Sequence, residues 1–101
     1  MKYQDLLRGL IRLHILFHAV EGEVYGQWMI HELGRHGYSI SPGTLYPMLS
    51  AMERNGYLKS KRHRTGRTFR RVYTATARGR RAYKVAKAQV RELSRELIEE
   101  R

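Results

Sequence analysis

Between Glu53 and Glu92 the chain contains no Asp or Glu, while residues 54–91 carry 14 Lys and Arg. Such a segment cannot be laced together by ion pairs of its own. Each cation must reach solvent, an acid elsewhere in the chain, or an external anion. The remaining residues hold 6 basic and 9 acidic side chains, so the formal net charge of +11 resolves into +14 in this block and −3 outside it. A field so concentrated draws in polyanions and speeds their association. Nucleic acid, an anionic membrane and the ribosome all fit that charge. The plain alternative is a solvated basic surface kept for solubility, which does not require acids to be absent from one segment.

A chain of 101 residues is enough for one domain with one core. A domain of that size is marginally stable alone, and a second copy would help it. Hydrophobic residues at 42% and charged residues at 29% describe a globular chain rather than a disordered one. Without cysteine there is neither a disulfide frame nor a cysteine metal site, which fits a reducing, cytoplasmic setting. No apolar run approaches the roughly 18 residues of a membrane span. The N-terminal apolar stretch is interrupted by Arg8, Arg12 and His14, which reads as a helix rather than a signal peptide.

Periodicity divides the chain into helices and a hairpin. Residues 5–20 form a helix, with Leu6, Leu10, Leu13 and Phe17 at spacings of four and three, and Leu7, Ile11, Ile15 and Leu16 widening the apolar surface so that more than one side needs cover. Residues 25–36 form a second, with Gly26, Met29, Ile30 and Leu33 on one face and Gly37 as its C-terminal cap. Residues 42–55 form a third: Ser41 is the N-cap, Pro42 suits the first helical position, and Leu45, Met48, Leu49 and Met52 form the buried face. Pro47 cannot donate to the carbonyl of Gly43, which predicts an irregular first turn. Residues 57–62 and 69–74 read as strands around a loop, His63 to Thr68. Residues 77–100 form a last helix capped by Thr76. Its seam of Tyr83, Ala86, Val90, Leu93 and Leu97 has heptad spacing and extends past what a core of residues 1–75 can cover. The natural partner of that seam is another copy of the chain, with packing inside the monomer as the alternative.

The expected fold is mainly α with a small β-hairpin: a winged helix-turn-helix in residues 1–75 and a dimerisation helix in 76–101. In such a motif the second helix of the pair enters the major groove by its N-terminal end. That places Ser41, Gly43, Thr44, Tyr46, Pro47 and Ser50 toward double-stranded DNA, where hydroxyls bond phosphates or base edges and the Thr methyl can touch thymine. Tyr46 also reads as a partly buried core residue. The hairpin supplies charge, with Arg64 and Arg67 at its tip and Lys61 and Arg70 behind them, for contacts to phosphate or minor groove.

The run Tyr38-Ser-Ile-Ser-Pro-Gly-Thr-Leu-Tyr-Pro-Met-Leu49 resembles the recognition-helix signature of the PadR family of bacterial transcriptional regulators, above all in Ser41 to Pro47. Val24-Tyr-Gly26, Glu53-Arg-Asn-Gly-Tyr-Leu58, Gly66-Arg67, Arg71-Val-Tyr-Thr-Ala-Thr76 and Arg78-Gly-Arg80 follow in the same order as in that family. Where the family usually has a Gly-Tyr pair, Gly26 is here followed by Gln27. The single C-terminal helix is similar to the short subfamily. The resemblance implies a homodimer joined by the last helix against the partner's first and last helices, which brings in Leu6 and Leu10. It also implies an inverted-repeat operator, usually repression, and release by a small aromatic or cationic effector. Some short members stack such ligands on a tryptophan of the last helix; this chain has none there, its one tryptophan being Trp28.

Two other readings touch parts of the chain. His14 and His18 lie at i, i+4, a spacing that can clamp a metal ion, with His31, His36 or a partner's Glu to complete the set. Two histidines are half a site, and ordinary helix polar groups, some buried and hydrogen-bonded, are the simpler reading. A basic amphipathic helix on an anionic membrane is disfavoured by the narrow 83–97 stripe and its ending in Glu99-Glu100. Nothing suggests an enzyme: there is no cysteine nucleophile, Gly-rich phosphate loop, paired carboxylates or triad spacing, and no cofactor is expected.

Overall fold

The computed structural model describes residues 3–99. The order is α1 (Gln4–Glu21), β1 (Val24–Tyr25), α2 (Gly26–Arg35), α3 (Pro42–Arg54), β2 (Leu58–Thr65), β3 (Thr68–Ala75) and α4 (Ala77–Ser94), followed by a π-helical turn at Arg95–Glu99. This is a mostly helical chain with a small three-stranded antiparallel sheet of order β1-β3-β2, the winged-helix arrangement expected from the sequence.

The core is built from one face of each element. Ile11, Ile15, Leu16 and Ala19 of α1 meet Met29 and Leu33 of α2, Leu45, Met48, Leu49 and Met52 of α3, and Leu58, Tyr73 and Ala75 of the sheet. The other apolar stripe of α1 stays out of it: Leu6, Leu10 and Phe17 are exposed. The chain itself therefore covers one side of α1.

Turn chemistry sets the element ends. Gly37 has φ +92° and lets the Tyr38 amide return to the Leu33 carbonyl at 3.0 Å, closing α2. Thr76 caps α4 as expected, its Oγ1 accepting from the Gly79 amide at 2.9 Å. Ser41 differs. Its backbone has N-cap geometry, but its hydroxyl donates to Thr44 Oγ1 at 3.3 Å and caps no amide. Nor is the turn at Pro47 irregular: α3 runs unbroken through it. The carbonyl that loses its donor lies near the start of the helix, at exposed Gly43, where water can serve it.

The β elements are more extensive than their sequence pattern suggests. Val24 and Tyr25 form a short strand against Tyr73 and Val72, so Tyr25 is extended rather than the start of α2. Strands β2 and β3 pair from Leu58↔Ala75 out to Thr65↔Thr68, leaving only Gly66 and Arg67 as the turn. The six-residue loop expected at 63–68 is thus mostly strand. Gly66 at φ +63° supplies the left-handed conformation that a two-residue hairpin turn needs.

The last helix keeps α geometry to Ser94 and then widens into the π-turn, in place of the one continuous α-helix expected. Residue 100, the expected end of the helix, lies outside the described residues. The protruding hairpin and α4 help to give the molecule extents of 55 × 31 × 20 Å.

Candidate nucleic-acid interface

Helix α3 presents a nearly uncharged surface opposite its buried face. Ser41, Gly43, Tyr46, Pro47 and Ser50 are exposed and Thr44 is half-buried; the first formal charge on that face is Arg54. Tyr46 combines both of its sequence readings. It is 41% exposed, yet its ring lies on Gly26 at the start of α2, where an added Cβ would stand 2.6 Å from its Cε1. Gly26 is thus the residue that lets the phenol close over the helix junction.

The hairpin sorts its cations by strand parity. Cross-strand partners share a face, so Leu58, Ser60, Arg62 and Arg64 lie with Ala75, Tyr73, Arg71 and Phe69. This face is continuous with the core and with α3: the Ser60 hydroxyl donates to Glu53 of α3 at 2.8 Å and accepts from Arg71 at 3.1 Å. Toward the tip, the Arg62 guanidinium stacks over the Phe69 ring at 4.2 Å and that of Arg64 lies 5.8 Å from the same ring. The Arg64 Nε donates to the Gly66 carbonyl at 3.1 Å, and stacking on the ring leaves the terminal guanidinium nitrogens available to an anion.

Lys61 and Arg70 are on the other face. Lys61 pairs with Glu23 at 3.4 Å, and Arg70 lies over Tyr25 at 5.5 Å. Of the four hairpin cations singled out from sequence, Arg64 therefore shares the α3 face, Arg67 sits in the turn, and Lys61 and Arg70 point away. Arg62 and Arg71 share the α3 face without having been singled out. The period-2 alternation is readable in the sequence, but not the register, nor which face meets α3. Among the described residues no carboxylate pairs with Arg62, Arg64, Arg67, Arg70 or Arg71.

A second surface runs along α1 and α4. Leu6, Leu10, Val90, Leu93 and Leu97 are exposed, and Tyr83 and Ala86 are half-buried. Phe17 and Tyr83 face each other at 6.1 Å, beside an apolar groove of about 200 Å³ that reaches Leu13 and Val90.

His18 of α1 and His36 after α2 converge on a carboxylate that sequence reasoning does not single out. Glu32 is buried, accepts from Arg35 at 2.9 Å, and has His36 Nε2 at 3.0 Å and His18 Nε2 at 3.4 Å from one oxygen. His14 stacks on His36 at 5.2 Å, and Trp28 meets His18 edge-on at 5.1 Å. The hydrogen bond from His36, with Arg35 beside it, holds the Glu32 carboxyl below the usual carboxylate range. Burial and then the neighbouring His36 and His18 push His14 below the ordinary imidazole value. Among the described residues no group of three or more His, Cys, Asp or Glu has the geometry to hold a metal ion. Nor is any helix long and apolar enough to cross a membrane.

Known proteins show the same architecture. A transcriptional regulator from Clostridium thermocellum superimposes with a TM-score of 0.76 at 31% identity, over 99% of this chain and 97% of that one. A PadR family transcriptional regulator from Eggerthella lenta gives 0.80 at 30% identity, over 92% of this chain and 82% of that one. In sequence, the chain is 45% identical over 95 residues to Transcriptional regulator Rv3488 of Mycobacterium tuberculosis, covering 94% of this chain and 89% of the relative. The Transcriptional regulator PadR-like family model matches residues 15–85, which take in α2, α3, the hairpin and the start of α4. With the Ser41–Pro47 run, the paired hairpin and the capped first turns of the last helix inside that match, the chain belongs to the PadR-like family of transcriptional regulators.

Proposed function

We propose that this regulator is a cytoplasmic repressor that binds an inverted-repeat DNA operator as a homodimer and is released by a small-molecule effector. The observation that carries the reading is the pairing of two unlike surfaces. An uncharged helix face (Gly43, Thr44, Pro47, Ser50) stands beside a hairpin face of arginines that no carboxylate pairs (Arg62, Arg64, Arg71). The first can approach base edges closely, while the second neutralises phosphate. Residues 1–75 act as the DNA-binding part and residues 76–101 as the dimerisation helix. Their apolar faces (Leu6 and Leu10; Tyr83, Ala86, Val90, Leu93 and Leu97) form one surface that a second copy covers. Two-fold symmetry then sets two recognition helices on two half-sites about one helical turn, or a multiple of it, apart.

Selection of bound duplexes from a random pool tests this directly. The expected product is a palindrome, bound by a dimer far more tightly than random duplex at physiological salt, with affinity falling steeply as salt rises. Equal affinity for selected and random DNA would end the reading.

A further inference from the structure

We infer a second phosphate-binding site, built by Arg8 and Arg12 of α1 on the flank of α3 away from the hairpin. The site rests on the DNA-binding reading above and adds residues to it. Arg8 and Arg12 are one helical turn apart and both exposed. They line a cleft of about 310 Å³ with Gly43, Thr44, Pro47 and Ala51 of α3. Among the described residues neither arginine makes an ion pair or a side-chain hydrogen bond. Two guanidinium groups facing the opening turn of a helix, with no acid between them, form a place for an anion.

The two flanks of α3 settle which anion. Glu53 holds Ser60 of β2 on one side. At 3.6 residues per turn, Thr44 and Ala51 fall on the opposite side, roughly half a turn from Glu53. The recognition helix is thus bracketed, with hairpin cations on one flank and Arg8 and Arg12 on the other. A helix lying in the major groove has a phosphate backbone on each side, and this bracket places cations toward both. The apolar stripe of α1 argues against the alternative that the pair receives acids of a second copy. Leu6, Leu10 and Phe17 lie across the helix from Arg8 and Arg12, again by roughly half a turn. A copy seated on that stripe meets the far side of α1.

The test uses the whole chain with its selected operator and a random duplex of equal length, each titrated over a range of salt concentrations. Arg8→Ala/Arg12→Ala is expected to weaken both duplexes by the same factor, at least about tenfold. The log–log salt slope should become shallower by about 0.9 for every phosphate that the variant no longer neutralises. Arg8→Lys/Arg12→Lys, which keeps the charges, should retain most of the wild-type slope and serves as the folded control. Unchanged affinity and slope in the Ala pair would overturn the inference. So would weakening on the operator alone, which means base contact, or weakening that tracks loss of the dimer, which assigns the arginines to the partner. Wild-type protein with no preference for any duplex is the separate failure of the parent reading.

Discussion

The phenol ring of Tyr46 lies across Gly26 so closely that a Cβ there would stand 2.6 Å from Cε1 and 2.7 Å from the hydroxyl. The first residue of α2 and the exposed face of α3 are therefore one fitted pair. Gly26→Ala forces the outer end of the Tyr46 ring aside, and because that end is mobile the fold survives. The expected stability loss is about 1 kcal/mol, with a larger relative loss in operator affinity. In Gly26→Ala/Tyr46→Ala the clash is gone, so a double-mutant cycle should show coupling rather than additivity. Chemical denaturation of the four proteins measures it.

Gly79 is the contrasting case. A Cβ there would meet the Tyr57 carbonyl oxygen at 2.1 Å, and that oxygen also receives the Thr76 amide at 3.1 Å. Backbone fixed by its own hydrogen bond cannot step aside. Gly79→Ala is expected to cost about 3 kcal/mol, lowering Tm by more than about 10 °C for a domain of this size. A Tm within a few degrees of wild type would show that α4 can shift on the body.

The pH dependence follows from His14 and Glu32. His14 is held below the ordinary imidazole value, so the unfolded chain takes up that proton first and stability falls as pH drops through about 6.5. His14→Gln should flatten that part of the profile. Glu32 is held below the usual carboxylate range; its contribution is present above that range and is lost on further acidification as the carboxyl protonates. Melting curves between pH 8 and about pH 2, followed by the fluorescence of Trp28, whose ring centroid lies 5.1 Å from that of His18, give both steps.

Most of this fold was legible because helices announce themselves by period and by caps. The stripes Leu45-Met48-Leu49-Met52 and Met29-Leu33, Gly37 and Thr76 all stand where the residues placed them. What escaped had no local signal. β1 is two residues long, too short for any alternation, and exists because β3 offers it an edge. The hairpin tip looked like a loop because Arg and His are not strand formers by burial; its ladder is held by pairing and a glycine turn, with both faces in solvent. Glu32 was invisible as a hub because its partners His18 and His36 come from α1 and from the turn after α2.

Strand parity predicts a split among the hairpin cations. Arg62→Ala/Arg64→Ala should weaken operator binding more than Lys61→Ala/Arg70→Ala, although both remove two charges. The salt slope should also fall further in the first pair, by about 0.9 for each phosphate left without its arginine. Equal losses from the two pairs would mean that bulk charge, rather than the face carrying Phe69, determines the grip.

The apolar seam of α4 is tested by charge. Leu93 and Leu97 are 52% and 51% exposed in the single chain, so Leu93→Glu/Leu97→Glu leaves the core intact. The expected result by sedimentation is a folded monomer with sharply reduced operator affinity. Retention of the dimer would move the interface off this seam.

The hairpin tip has a consequence for how ionic strength acts on the protein. Arg62, Arg64, Arg67, Arg70 and Arg71 repel one another on a ladder braced toward its outer end by Tyr25 of β1, which meets His63 and lies under Arg70. In the free protein, dissolved salt screens that repulsion and favours the folded hairpin. In the complex the same ions compete for the arginines and favour release. On the proposed function, a single solution variable drives folding and DNA retention in opposite directions, and the conditions in which the free regulator is most robust are those in which it holds an operator least.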